Sequence, residues 1–544
     1  MKRFSWLVIL LVMLMQGFAL GMHAYTNFPP VDPTVVIDAT NLPIVWIEVG
    51  GDSIMRRTRI PARMKIIHNG DGRLNYGDTV AHPGQHIDYE GDIALRYRGN
   101  SSYSNSPKKP YSFRTLEQPY NVSDKKKKVS ILGMGKDNNW ALIAPYADKS
   151  MIRDMLAFEI ARPWMEYTPD GRFCELYVDG IYYGVYILSE VVSKGKHRLD
   201  LDDPGDEGDA LTGGYLMEVS INDEVTYISK YHPVSTNGYS YNDAYIQFQY
   251  KSPDYVDMTP AQISYIQQAI DEMEGAFAKS TFRDPVVGYR KYIDVQSFID
   301  YQLVMELGHN VDAYRLSAKF FKRRDSVDSR FKMVIWDMNL AFGNCRHHNG
   351  SATNTWIYNN NPVFYQSGDY MIPFWWYKLS IDKAYIAERN ARWAQFREGN
   401  VRSDRLMATV DSLVNVLTCH GAEWRNSQAW PTWGTWVWPN QYVATDFNDE
   451  IAYIKNWLNE RISWMDGRMG YTPPDPPDPP VVEPVKGDVN GDRQVTIADV
   501  NVVIDIIQGH TYTDEIMARA DVNGDGEITV ADISELISII LGGQ

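Results

Sequence analysis

A chain of 544 residues exceeds what one hydrophobic core organises and implies two or three domains. With 44% hydrophobic and 13% aromatic residues, among them 16 Trp and 35 Tyr, it is not a disordered polymer. The formal charge of −16 argues against a nucleic-acid partner, because a phosphate backbone needs a basic face.

Residues 1–24 read as a secretory signal peptide. Lys2 and Arg3 precede an apolar run from Trp6 to Met15, and small residues follow at Ala19, Gly21 and Ala24. Cleavage after Gly21 or Ala24 is expected, giving a secreted chain with no remaining membrane span. The three cysteines, Cys174, Cys345 and Cys419, are odd in number and widely spaced, so no disulfide framework is expected. Residues 25–43 are expected to be extended.

A strand-rich stretch follows. IVWIEV (Ile44–Val49), RMKIIHN (Arg63–Asn69), IALRYRG (Ile93–Gly99) and YSFRT (Tyr111–Thr115) are β-branched and aromatic runs between turn residues. The four lysines at 125–128 read as a solvated loop. DKSMIRDMLAFEIARPW places Met151, Leu156, Phe158 and Ile160 on helical spacing behind an Asp148 cap. FCELYVDGIYYGVYILSE is expected to be a hairpin turning at Asp179–Gly180.

From Thr259 the periodicity becomes helical, interrupted by a strand pair, RLSAKFFKRR and FKMVIWDMN, and then continues with Trp-rich loops to Gly470. A sheet-rich half followed by a helix-rich half predicts an α+β body over residues 44–470. TPPDPPDPPVVEP, within residues 471–486, is expected to be a stiff spacer.

Residues 487–544 hold eleven acidic and two basic side chains, a density suited to a hard cation. DVNGDRQVTIAD and DVNGDGEITVAD recur 33 residues apart with the spacing of a calcium loop. In the first, Asp488, Asn490 and Asp492 supply side-chain oxygens, Gln494 a backbone carbonyl, and Asp499 closes the site. Asp521, Asn523, Asp525, Glu527 and Asp532 repeat the pattern, and a helix is expected on the exit side of each loop only. This tail resembles a type I dockerin, a small all-α module. The resemblance implies two Ca²⁺ ions and a cohesin-domain partner in a polysaccharide-degrading or surface-glycan assembly. Ile497, Ala498, Val530 and Ala531 occupy the loop positions that contribute to cohesin choice in that family.

The body resembles the CotH kinase family, carried by RGNSSYSNSPKKPYSF, NNWALIAPYADKSMIRDMLAFEIAR, RFCELYVDGIYYGVYILSE and NVDAYRLSAKFFKRR…FKMVIWDMNLAFGN. The resemblance implies an atypical two-lobed protein-kinase-like fold and Mg²⁺–ATP-dependent transfer to a protein or glycan hydroxyl. It makes Asp337 the Mg²⁺ ligand and Asp312 the catalytic-loop acid, two roles that phosphoryl transfer requires. Ser317 stands where ordinary kinases carry a metal-binding Asn, with Asn310 or Asn339 as substitutes. Lys109 is the expected phosphate-binding lysine, with Lys108 as its rival, paired with Glu159 or Glu190. The contrasting reading is a non-catalytic adhesion or carbohydrate-binding component. Trp430, Trp433, Trp436 and Trp438 then form either a sugar-stacking platform or buried packing.

Overall fold

The computed structural model describes residues 31–220, 226–474, 486–490, 495–510 and 512–542. The signal peptide, most of the Pro-rich spacer, and Asp492 and Gln494 of the first calcium loop lie outside these residues. Two compact units are present, one ending at Thr472 and one beginning at Pro473.

The first half of the larger unit is a closed barrel of seven strands: β1 (Ile44–Glu48), β2 (Ile60–Ile67), β3 (Ile87–Tyr97), β4 (Tyr111–Thr115), β5 (Asn139–Ile143), β6 (Gly171–Val178) and β7 (Ile181–Glu190), in the order β1-β2-β3-β4-β5-β7-β6. β1 closes it by pairing parallel to β6, Ile44 opposite Glu175. Period-two alternation sends Val45 and Ile47 into the barrel core with Ile66, Ile93, Phe113, Trp140 and Leu176, while Trp46 and Glu48 face outward. The β6–β7 hairpin turns at Asp179 (φ +46°) and Gly180 (φ +80°), a left-handed pair matching the strand twist.

The second half joins a five-stranded sheet to helices. Its strands are β8 (Tyr215–Val219), β9 (Tyr227–Ile228), β10 (Gln247–Ser252), β11 (Ala318–Lys322) and β12 (Phe331–Val334), ordered β9-β10-β8-β11-β12. Helix α1 (Arg153–Ala161) packs into the same core as α2 (Pro260–Ala278), α3 (Val295–Gly308) and α4 (Phe447–Met469). The whole is a mixed α+β body.

Helix α1 begins later than its sequence predicts. Met151 adopts φ +64° ahead of the helix, and Asp148 acts from further back, accepting the Arg153 backbone N–H at 2.9 Å. The fully buried Arg153 guanidinium is paired with Asp148 (2.6 Å) and Glu450 of α4 (2.7 Å). Removing the cation strands two buried carboxylates, so Arg153→Ala is expected to cost roughly 3 kcal/mol in urea unfolding. A loss below about 1 kcal/mol would contradict the clamp assigned to it.

The smaller unit contains α5 (Ile497–Ile507), a short helix Asp514–Ala520, and α6 (Val530–Gly542) around Val489, Val500, Val503, Ala520, Val522 and Leu536. The Asp514–Ala520 helix corrects the expectation of exit-side helices only. Thr513 caps it by accepting the Ile516 N–H, and its seven residues are too few to show helical periodicity in the sequence.

Candidate functional site

Helix α3 ends at His309, whose left-handed backbone (φ +47°) turns the chain into the loop carrying Asp312. Asn310 ties that loop to the segment after β12. Its Nδ2 donates to the Asp337 carbonyl (3.0 Å), and its Oδ1 accepts the Asp312 N–H (3.1 Å). Both arms of the amide are thus engaged by the backbone, which makes Asn310 a staple between the two acids. Ser317 donates its hydroxyl to Asp337 Oδ2 at 3.1 Å, so the residue in the kinase Asn position touches the metal-ligand candidate. Ser317 (φ +53°) and Asp337 (φ +64°) are both left-handed, a strained pair characteristic of functional turns. The side chain of Asn339 is not seen joined to either acid; only its carbonyl is engaged, by Asn344.

Arg315 orients the Asp312 carboxylate with a 2.9 Å bond from Nη2, while its Nη1 pairs with Asp369 at 3.0 Å. Burial pushes Asp312 up to about 6, opposed by Arg315 and reinforced by the charge of Asp337. A fifth of the side chain still reaches solvent, so the carboxyl is accessible.

Three groups not singled out from the sequence complete the cluster. Asp154 of α1 accepts the Met338 N–H at 2.7 Å, and burial together with Asp337 pushes its carboxyl up to about 7. Arg98, just beyond β3, lies over the Trp336 ring at 5.0 Å and feels the charges of both Asp337 and Asp154. Its Nη1 is buried and makes no hydrogen bond among the described residues. Lys319 of β11 is ion-paired with Glu218 on the neighbouring β8, and burial and Arg98 hold its amine below the usual range while Asp337 raises it.

The expected phosphate lysine is engaged by its own loop. Lys109 donates to the Tyr103 carbonyl and sits over the Tyr103 ring at 4.6 Å. Lys108 is fully buried and bonds the Val185 carbonyl (2.6 Å) and Asn426 (2.7 Å). Neither expected acidic partner reaches Lys109. Glu159 pairs with Arg162 one helical turn away (3.1 Å), and Glu190 is held by Arg198 (2.5 Å) and the Tyr167 hydroxyl (3.0 Å). The loop tryptophans are similarly dispersed. Trp430 is buried and donates to the Tyr183 carbonyl, Trp433 packs on Phe447, Trp438 stacks on His347, and Trp436 is 41% exposed.

Among the described residues no three His, Cys, Asp or Glu side chains converge closely enough to hold a metal ion by themselves. Mg²⁺ is ordinarily held by one or two carboxylates with water and substrate phosphates completing the shell, and Asp337 with the Ser317 hydroxyl beside it is a donor set of that kind. The unpartnered Arg98 Nη1 beside Asp337 and Asp154 fits an anionic phosphate.

In the C-terminal unit, Asp521 accepts the N–H groups of Gly524 (2.8 Å), Asp525 (3.0 Å) and Gly526 (2.8 Å), winding the second loop around one carboxylate. Gly524 (φ +75°) and Gly526 (φ +90°) allow that curvature. Asn523 and Asp525 accept the N–H groups two residues on, of Asp525 and Glu527 respectively. The fully buried Asp532 accepts from Val522, Asn523 and Thr529. In the first loop the equally buried Asp499 accepts from Asn490 (3.0 Å) and Thr496 (2.8 Å), so the closing carboxylate plays one role twice. The donors are all oxygens, as Ca²⁺ requires. Ile497 (72% exposed) and Val530 (65% exposed) open the two exit helices.

No curated protein matches the chain. The CotH kinase protein family model matches residues 95–465, which include Arg98, Asp154, Asp312 and Asp337. The Dockerin type I domain model matches residues 486–541. Type I dockerins bind Ca²⁺ and cohesin-domain proteins, and no helix among the described residues is long and apolar enough to cross a membrane. The chain therefore belongs to the CotH kinase protein family and carries a C-terminal type I dockerin domain.

Proposed function

We propose that residues 44–470 form an atypical two-lobed kinase body that transfers a phosphoryl group from Mg²⁺–ATP to a protein or glycan hydroxyl. Residues 471–486 would space this body from the dockerin, residues 487–544, which tethers it to a cohesin-domain partner in a secreted polysaccharide-degrading or surface-glycan assembly. The observation carrying the reading is the proximity of Asp312 and Asp154 to Asp337, together with Arg98, which feels the charges of Asp337 and Asp154 and whose buried Nη1 makes no hydrogen bond among the described residues.

Mg²⁺, when bound, would offset charge developing on the transferring phosphoryl group. Asp337 is the carboxylate that would hold it, with the Ser317 hydroxyl adjacent. Arg98 would bind phosphate oxygens through Nη1, the role assigned from sequence to Lys109. Asp312, oriented by Arg315, would accept the hydroxyl proton as the acceptor oxygen bonds to phosphorus and the ADP oxygen departs. Asp154 holds the Met338 amide and keeps the Asp337 turn in place.

A base raised to about 6 is lost to protonation as pH falls through that value. The acidic limb of kcat/KM is therefore expected near pH 6, with activity retained above it. A flat profile from pH 5 to 8 would remove Asp312 from the role. The binding step is tested by thermal shift of the full-length protein. Stabilisation by Mg²⁺–ATP beyond Mg²⁺ alone is expected, and Arg98→Ala should abolish the increment; no increment in the wild type would contradict nucleotide binding.

A further inference from the structure

The outer wall of the barrel carries a cavity of about 260 Å³, lined by Trp46, Glu48, Arg63, Lys65, Thr79 and Glu90 among others. None of these belongs to the Asp312–Asp337 cluster. Strand register builds the wall: Trp46 lies opposite Lys65, Lys65 opposite Glu90, and Glu48 opposite Arg63, so one outward row joins the indole to a cation and a carboxylate. On the other side of Trp46, Tyr177 of β6 stacks parallel to it, with centroids 4.0 Å apart and planes 4° apart. The Tyr177 hydroxyl accepts the Ile37 N–H at 2.8 Å, which fixes the pair.

Tyr177 covers one face of the indole, and the residues that line the cavity with Trp46 come from β1 itself, from strands β2 and β3, and from Thr79. The indole N–H is buried and has no hydrogen-bond partner among the described residues. Thr79 is supplied by a turn ordered by Asp78, which accepts the Val80 and Ala81 N–H groups, and by the stacking of Tyr76 on His82 at 3.8 Å.

The charges select the ligand. Two carboxylates stand among two cations, and Arg63 and Glu90 are 3.5 Å apart and half-exposed. A phosphate or uronate would meet Glu48 and Glu90; an ammonium would meet Arg63 and Lys65. A neutral ligand rich in hydroxyls satisfies both sets, donating to the carboxylates and accepting from the cations, while an apolar C–H face rests on the indole. The volume falls below the about 300 Å³ at which pockets for drug-sized molecules begin, which suits a single ring. We propose that this cavity binds a neutral pyranose residue of a glycan, with Trp46 as its platform and Glu48 and Glu90 as hydroxyl acceptors. The site stands independently of phosphoryl transfer.

Calorimetric titration of the full-length protein in calcium, without nucleotide, with cellohexaose, xylohexaose and mannohexaose tests it, with tetragalacturonate as the charged control. At least one neutral hexaose should bind, and Glu48→Ala and Glu90→Ala should each weaken binding about tenfold, as expected on losing a hydrogen bond to a charged group. Trp46→Phe, which keeps an aromatic ring against Tyr177, should weaken it less than Trp46→Ala. The proposal is overturned if no neutral hexaose binds, if tetragalacturonate binds in preference, or if the two exposed-acid variants bind as the wild type does.

Discussion

Replacing Asp337 with Asn is expected to abolish Mg²⁺-dependent nucleotide binding, whereas Asp312→Asn is expected to leave binding within a few-fold and lower turnover about 10³-fold. The two acids differ in what they are asked to do. In the proposed mechanism Asp337 would supply charge to an ion that takes few protein ligands, so its amide variant would lose ground-state and transition-state binding together. Asp312 would act on the acceptor proton, a contribution realised only as the bond to phosphorus forms. Both variants should fold, because Asp312 is partly exposed and the Asp337 turn is also held by Asn310 at its carbonyl and by Asp154 at the Met338 amide. Equal losses of binding in both variants, measured by calorimetry with Mg²⁺–ATP, would remove this division of labour.

Chelating calcium is expected to abolish cohesin binding and to lower the helical signal contributed by the C-terminal unit. The second loop folds its backbone around Asp521 and carries Asp525 and the buried Asp532 within the same twelve residues, so drawing these carboxylates onto one site needs a cation to offset their repulsion. Titration of the full-length protein should give two calcium ions per chain, falling to one for either Asp488→Ala or Asp521→Ala. An unchanged stoichiometry in both variants would contradict the assignment. Ile497→Asp and Val530→Asp should weaken cohesin binding without changing calcium stoichiometry, since both apolar side chains are exposed at the start of their helices.

Local patterns were legible and long-range ones were not. The β-branched and aromatic run Ile44–Val49 is readable as a strand, though four successive apolar residues hide which of them face the barrel core, and the Asp179–Gly180 turn is readable because its positive φ values favour those residue types. The closure of the barrel by parallel pairing of β1 with β6 leaves no local mark. The same limit explains Lys109: a lysine at a strand start looks poised for phosphate, but the nearby Tyr103 carbonyl and ring occupy it. Arg98 stands only eleven residues before Lys109, but no local pattern marks it, because its partners Asp154, Trp336 and Asp337 arrive from distant segments. Asp154 stands beside Arg153 in the first turn of α1, and its role emerges only where Met338 and Asp337 arrive from a distant segment. The two loops of the C-terminal unit, by contrast, each carry their candidate calcium ligands within twelve residues, so spacing alone exposes the pattern.

Transfer of γ-labelled phosphate from ATP by the wild-type protein, with Mg²⁺ at pH 7.5 against protein and glycan acceptors, tests the central claim most directly. Label is expected on an acceptor hydroxyl with stoichiometric release of ADP, absent for Asp312→Asn and Asp337→Asn. Undiminished labelling by those two variants, or no labelled acceptor and no ADP from the wild type, would contradict it.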